Sequence, residues 1–199
     1  MDSDFILLRN YISKFIKLSD ADWQMLEPHL QKHTLKKHSF FEQEGKKARE
    51  VGYIVEGNMR HFYTHQGEEK TTYFYFEKSM VASYISCLTG QPSMITIEAL
   101  TEVKMIVFPY AILNTLYSQS PAWERFGRLL AEYLAMGLEE RMVGLLTLSP
   151  EERYIQLLES NKRKITERIA QHYIANYLGI TPVSLSRIRN RVLKHTPDL

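Results

Sequence analysis

The period of the hydrophobic positions changes twice along the chain. Residues 4–17 and 20–33 read as two short helices; Ser19 can cap the second, with Asp20 and Asp22 in a first turn where the helix dipole favours acids. From 34 to 108 the pattern alternates. "VGYIVEGNMRHFYTHQGEEKTTYFYF" sets aromatic and β-branched residues against polar ones, with Gly52, Gly57 and Gly67 as turn signals, and "MITIEALTEVKMIVF" does the same before Pro109. Short, evenly spaced strands with turn signals indicate an all-β sandwich or barrel.

Past Pro109 the period becomes helical. Apolar residues at 123, 126, 130, 133/134, 137/138, 142 and 145/146 approach a 3.5-residue repeat and predict one long helix over 123–148. Such a stripe is a wall of a core or a seam against another helix. The second row, Leu129, Met136 and Val143, predicts both, with one face on the chain's own β domain and the other on a partner copy. Phe126, Leu130, Leu134 and Gly137 are the expected dimerisation residues, Gly137 marking a place where two backbones can approach. "SPEERYIQLLE" then starts another helix, with Ser149 as cap and Pro150 at its first position.

In "IANYLGITPVSLSRIRNRVL", Gly179 is placed to end a helix around 168–178, and Thr181 with Pro182 to begin the next. Two helices joined by so short a glycine turn form a helix-turn-helix. Ala175, Gly179, Leu185 and Ile188 supply the small residue, the turn and the two buried aliphatics that the DNA-binding version of this motif needs. At about 100° per residue, Leu185, Ile188 and Val192 fall on one buried side. Val183, Arg187 and Asn190 lie opposite, Ser184 and Arg191 on a flank, and Arg189 on the rim, so the alternation of arginines in "RIRNR" is no guide to which one binds.

Charge agrees with that reading. Residues 161–199 hold eight Lys/Arg against two acids, whereas residues 1–160 hold 17 against 21, which puts a basic end on an acidic body and suggests a polyanionic partner. The single cysteine, Cys87, excludes an intramolecular disulfide and a four-cysteine cluster; it reads as a buried small hydrophobe rather than a redox switch. No apolar run approaches a membrane span, and the acids ahead of "FILL" are the wrong flank for a secretory signal, so a cytoplasmic location is expected.

In order and spacing, nearly the whole chain resembles the Crp/Fnr family of bacterial transcription regulators. The similarity rests on the alternating segments "EGNMRHFYTHQGEEKTTYFYF" and "CLTGQPSMITIEALTEVKMIVF", the long amphipathic helix and the C-terminal helix-turn-helix. The resemblance implies an α+β fold: a jelly-roll-like β-roll of cyclic nucleotide-binding type with N-terminal helices over 1–120, a dimerisation helix over 121–148, and a DNA-binding domain over 149–199. It implies a homodimer on a palindromic site in double-stranded DNA, with Thr181, Val183, Ser184, Arg187, Asn190 and Arg191 at the interface and Arg187 reading a base edge. RNA polymerase is a further candidate partner.

Two departures matter. In cyclic-nucleotide-binding members a Gly-Glu pair and an Arg-Ser pair hold the ribose and the cyclic phosphate. Alignment on "LTGQP" puts Ala82-Ser83 and Ser93-Met94 there, so Ser83 and Ser93 mark a degenerate pocket and cyclic AMP is not expected to be the effector, which is left unidentified. Only seven residues follow Val192, which leaves little or no room for the family's two-stranded wing. The run Tyr73–Phe76 reads as the core and surface of one strand, with an apolar pocket lining as the sharper alternative. No catalytic residue, cofactor or metal is called for. The rival readings are a cupin-type metal enzyme, for which only His61 and His65 share a strand face with Tyr63, and a small-ligand sensor that has lost DNA binding.

Overall fold

A computed structural model describes residues 2–159 and 163–195 of the chain, with side chains through residue 192; the wing expectation concerns the seven residues after Val192, of which 193–195 continue the last helix and 196–199 lie outside the described residues. The fold is α+β. Its residues divide into two compact units, 1–63 with 74–134 and 64–73 with 135–199.

The first unit begins with α1 (Ser3–Ile12) and α2 (Asp20–Leu26). Ser19 and Asp22 close a reciprocal capping box on α2, and Asp22 also accepts a 2.6 Å hydrogen bond from Ser120, just ahead of the long helix. Those two serines hold the Asp22 carboxyl below its usual pKa, Ser120 the more strongly. The second helix is shorter than its spacing predicts. Pro28 interrupts it in a single 3-10 turn, Glu27–His29, and the chain is already a strand at Gln31.

Among the described residues eight strands form two antiparallel sheets, ordered β1-β8-β3-β6 and β2-β7-β4-β5. The first contains β1 (Gln31–Leu35), β3 (Glu50–Glu56), β6 (Met80–Val81) and β8 (Val103–Pro109); the second contains β2 (Phe40–Glu42), β4 (Met59–His65), β5 (Glu68–Tyr75) and β7 (Thr96–Ala99). The near-continuous apolar run of β8 has a physical cause: its sheet is covered on both faces. Ile106 and Phe108, with Val51 and Tyr53 of β3, join a core made with α1, α2, α4 (Tyr110–Gln119) and the start of α5 (Pro121–Thr147). Val103, Met105 and Val107 instead join Met59, Ile97 and Ala99 in a core between the two sheets.

The second unit carries α6 (Pro150–Glu159), α7 (Arg163–Arg168), α8 (Gln171–Leu178) and α9 (Pro182–His195). As at α2, a capping box opens α6: Ser149 Oγ accepts from the Glu152 N–H, and the Glu152 carboxylate accepts from the Ser149 N–H. The helix expected around 168–178 is broken at Ile169–Ala170, where buried Ile169 separates α7 from α8.

The β3–β4 turn is closely packed against backbone. Gly57 has φ +100°, and a Cβ there would lie 2.4 Å from the Glu102 carbonyl oxygen, while the neighbouring Asn58 N–H donates to Thr101. Gly57→Ala should therefore cost more than the roughly 1–2 kcal/mol of a left-handed residue alone. Urea unfolding measures this, and an unchanged midpoint would show that the turn can relax.

Candidate nucleic-acid interface and degenerate pocket

The candidate interface is built on the end of α8. The last four carbonyls of a helix have no partner inside it and must find donors elsewhere. Gly179 adopts φ +71° with open space around its Cα, which lets the chain turn back. The Ile180 N–H then bonds the Ala175 carbonyl and the Gly179 N–H that of Asn176, a Schellman closure. The remaining two carbonyls are taken by side chains from other helices. Arg141 of α5 donates to Tyr177 O (2.6 Å) and stacks its guanidinium 3.6 Å from the Tyr177 ring; Arg153 of α6 donates to Leu178 O (2.9 Å) and to Leu148 O (2.5 Å). Asn176 also holds β5, accepting from the Thr71 N–H (2.6 Å) and donating to Glu69 O (2.7 Å). Sequence reasoning missed Arg141, Arg153 and Asn176. All three bond to backbone far away in the chain, and periodicity carries no record of that.

From this anchored turn α9 starts as the sequence implies. Thr181 Oγ1 accepts from the Ser184 N–H at 3.2 Å, and the two hydroxyls lie 3.0 Å apart, so both side chains serve the N-cap. Leu185, Ile188 and Val192 are buried, whereas Val183 is 62% exposed and Arg187, Asn190 and Arg191 are also exposed; Arg189 is half-buried. Arg187 makes no ion pair among the described residues, while Arg191 is engaged by Glu151 through both Nε and Nη2. The structure thus presents Val183, Arg187 and Asn190 together on one open face.

The long helix divides by length rather than by face. Phe126, expected at a partner, is 1% exposed and sits edge-on to Trp123 and Phe15, so it belongs to the protomer's own core. Leu130 is half-buried against the same core. Leu134, Met136, Leu138, Met142, Val143, Leu145 and Leu146 are exposed, and Gly137 has open space beside it. The open apolar surface of α5 therefore lies over 134–146.

In the β-roll, the two serines expected in the degenerate pocket do meet. Ser83 and Ser93 are buried with their hydroxyls 2.8 Å apart; Ser93 donates onward to Ile95 O, which leaves Ser83 to donate to Ser93. A hydroxyl pair satisfied in this way offers no cation to a cyclic phosphate. The buried Arg60 does not replace one, since Glu98, opposite it across β4–β7, takes its Nε at 2.7 Å and its Nη2 at 2.6 Å, and His38 holds the other carboxylate oxygen. His61 packs against Tyr63 and Tyr75, and burial lowers its pKa to about 4, leaving a neutral imidazole. Cys87 is half-buried and burial pushes its thiol up to about 12, with Glu42 adding to the shift, so it is a poor nucleophile. Among the described residues, no group of three His, Cys, Asp or Glu is placed to hold a metal ion, and no helix is long and apolar enough to cross a membrane.

Residues 32–120 match the family model of the cyclic nucleotide-binding domain. No curated protein sequence matches the chain. Among solved structures, FixK2 from Bradyrhizobium japonicum superposes with a TM-score of 0.68 at 17% identity, over 83% of this chain and 85% of that one. A putative transcriptional regulator of the crp/fnr family from Eubacterium rectale gives 0.64 at 19%, over 89% and 85%. The catabolite activator protein of Thermus thermophilus gives 0.55 at 18%, over 91% and 86%. At these identities the likeness is one of fold. It extends past the cyclic nucleotide-binding domain through the long helix and the helices that follow.

Inside that domain one acid is buried. A bulge between Phe40 and Glu42 pairs Glu42 with the core residue Ile97, and Glu42 is 8% exposed. Burial raises its pKa from 4.5 to about 7, with the Glu50 charge adding to the shift. The folded chain then holds a proton that the unfolded chain releases, so stability should fall as pH rises from 4.5 to 7. Glu42→Gln should flatten this fall in melting temperature; an unaltered slope would place its origin in other groups.

Proposed function

We propose that the chain is a sequence-specific DNA-binding transcription regulator of the Crp/Fnr type, acting as a cytoplasmic homodimer without cyclic AMP as effector. The observation that carries this is the pairing of α8 and α9 around Gly179, with the buried stripe turned inward and Val183, Arg187 and Asn190 left open on a basic helix. The names of similar structures, a catabolite activator protein and a crp/fnr regulator, support the same reading. In it, residues 1–120 are a sensor-like domain, 121–148 the dimerisation helix and 149–199 the DNA-binding domain, with RNA polymerase as a further partner.

Arg187 reads a base. An arginine there donates two hydrogen bonds to guanine, worth roughly 1–3 kcal/mol of discrimination. Val183 has no hydrogen bond to offer and packs on a thymine methyl. Dimeric helix-turn-helix proteins place half-sites about one helical turn apart. Selection from random duplexes should therefore return a palindrome with that spacing, identical with and without cyclic AMP, and Arg187→Ala should relax one base pair per half-site. Recovery of no duplex would overturn the reading, and a cyclic AMP requirement would overturn its view of the Ser83–Ser93 pocket.

Dimerisation runs along the open half of α5. Sedimentation at micromolar concentration should give a dimer, and Leu134→Glu or Leu138→Glu should give a folded monomer that no longer binds the palindrome. A wild-type monomer would sink this assignment.

A further inference from the structure

On α9, Arg191 is held in an ion pair by Glu151, the second residue of α6. Glu151 stands in the first turn of α6, where the helix dipole favours an acid. The capping box of that helix uses Glu152 rather than Glu151, so Glu151 is free to reach across 40 residues of sequence to Arg191. One carboxylate oxygen accepts from both Nε and Nη2, with the Nε contact at 3.0 Å. That is the fork through which an arginine grips a phosphate oxygen. Both side chains are solvent-accessible, at 56% and 37%, so the pair can open. Arg187, one turn earlier on α9, has no such acid.

We propose that Glu151 is an intramolecular stand-in for a DNA phosphate: it occupies the phosphate-binding fork of Arg191 and so limits the sequence-independent part of the affinity. The inference rests on the DNA-binding reading above. On binding, Arg191 exchanges the Glu151 carboxylate for a backbone phosphate, and Glu151 stays behind at the amino end of α6, where it remains stabilised. Each arginine–phosphate contact releases counterions from DNA whatever the sequence, so a restraint on Arg191 weakens cognate and non-cognate duplexes alike. It leaves the Arg187 contact, and with it base preference, untouched. Glu151 thereby raises the share of the total affinity that depends on sequence.

A double-mutant cycle on duplex binding, at two salt concentrations, tests this. Exposed ion pairs contribute little, so Glu151→Gln should tighten binding about two- to five-fold at low salt, equally on the selected palindrome and on a scrambled duplex, with a smaller gain at high salt. Glu151→Ala should do the same. In an Arg191→Ala background, Glu151→Gln should have almost no effect. An equal gain in both backgrounds would show mere removal of a negative charge near DNA and overturn the proposal. Weaker binding by Glu151→Gln would also overturn it, because the carboxylate would then be orienting Arg191 for its phosphate. Failure of the wild-type chain to bind any duplex falls on the DNA-binding reading instead.

Discussion

Helix α9 is only as well placed as the helix end that precedes it. Four carbonyls at the end of α8 need donors, and each finds one from a different source: the backbone N–H groups of Ile180 and Gly179, the guanidinium of Arg141 and that of Arg153. The first two bonds require the left-handed Gly179, which turns the chain towards α9. The other two tie that turn to α5 and α6. An unsatisfied carbonyl here would be buried, and the cost of leaving one unpaired is about 1–3 kcal/mol. The same few residues that end one helix therefore fix where the next begins, and Thr181 and Ser184 complete its amino end.

The β-roll obeys a different constraint. One of its sheets is covered on both faces, by the second sheet and by helices, which fills β3 and β8 with apolar side chains on both sides. Polar groups in such a setting must satisfy one another. Ser83 and Ser93 do so, and Arg60 does so with Glu98 and His38. A ligand phosphate entering here would have to break one of these arrangements. Glu42 is buried in the same roll, and burial, with the Glu50 charge adding to it, raises its pKa.

Along α5 the hydrophobic stripe is continuous in sequence but serves two ends. Trp123 and Phe126 fill the core beside Phe15, and the apolar residues from 134 to 146 are left open. A single helix can carry both because a repeat near 3.5 residues drifts by only about 20° per heptad around the helix, so the stripe passes gradually from the core to the open surface.

Much of this was legible in the chain itself, because it depends on local chemistry. Ser19 and Ser149 cap helices, Gly179 makes a left-handed turn, and the period of Leu185, Ile188 and Val192 names the buried side of α9 without knowledge of anything packed against it. The alternation over 34–108 announced short strands of a sandwich or barrel for the same reason. The resemblance singled out Ser83 and Ser93 separately; that their hydroxyls meet across the short α3 (Tyr84–Thr89) is a finding of the structure. What only the tertiary structure decided are the partners separated by tens of residues: Arg141 and Arg153 on the end of α8, Asn176 on the β4–β5 hairpin, Glu98 on Arg60, Glu151 on Arg191, and the burial of Phe126 in its own protomer. Periodicity states which side of an element is apolar. It does not state what will face that side, because that depends on how far apart in sequence two surfaces can lie and still pack.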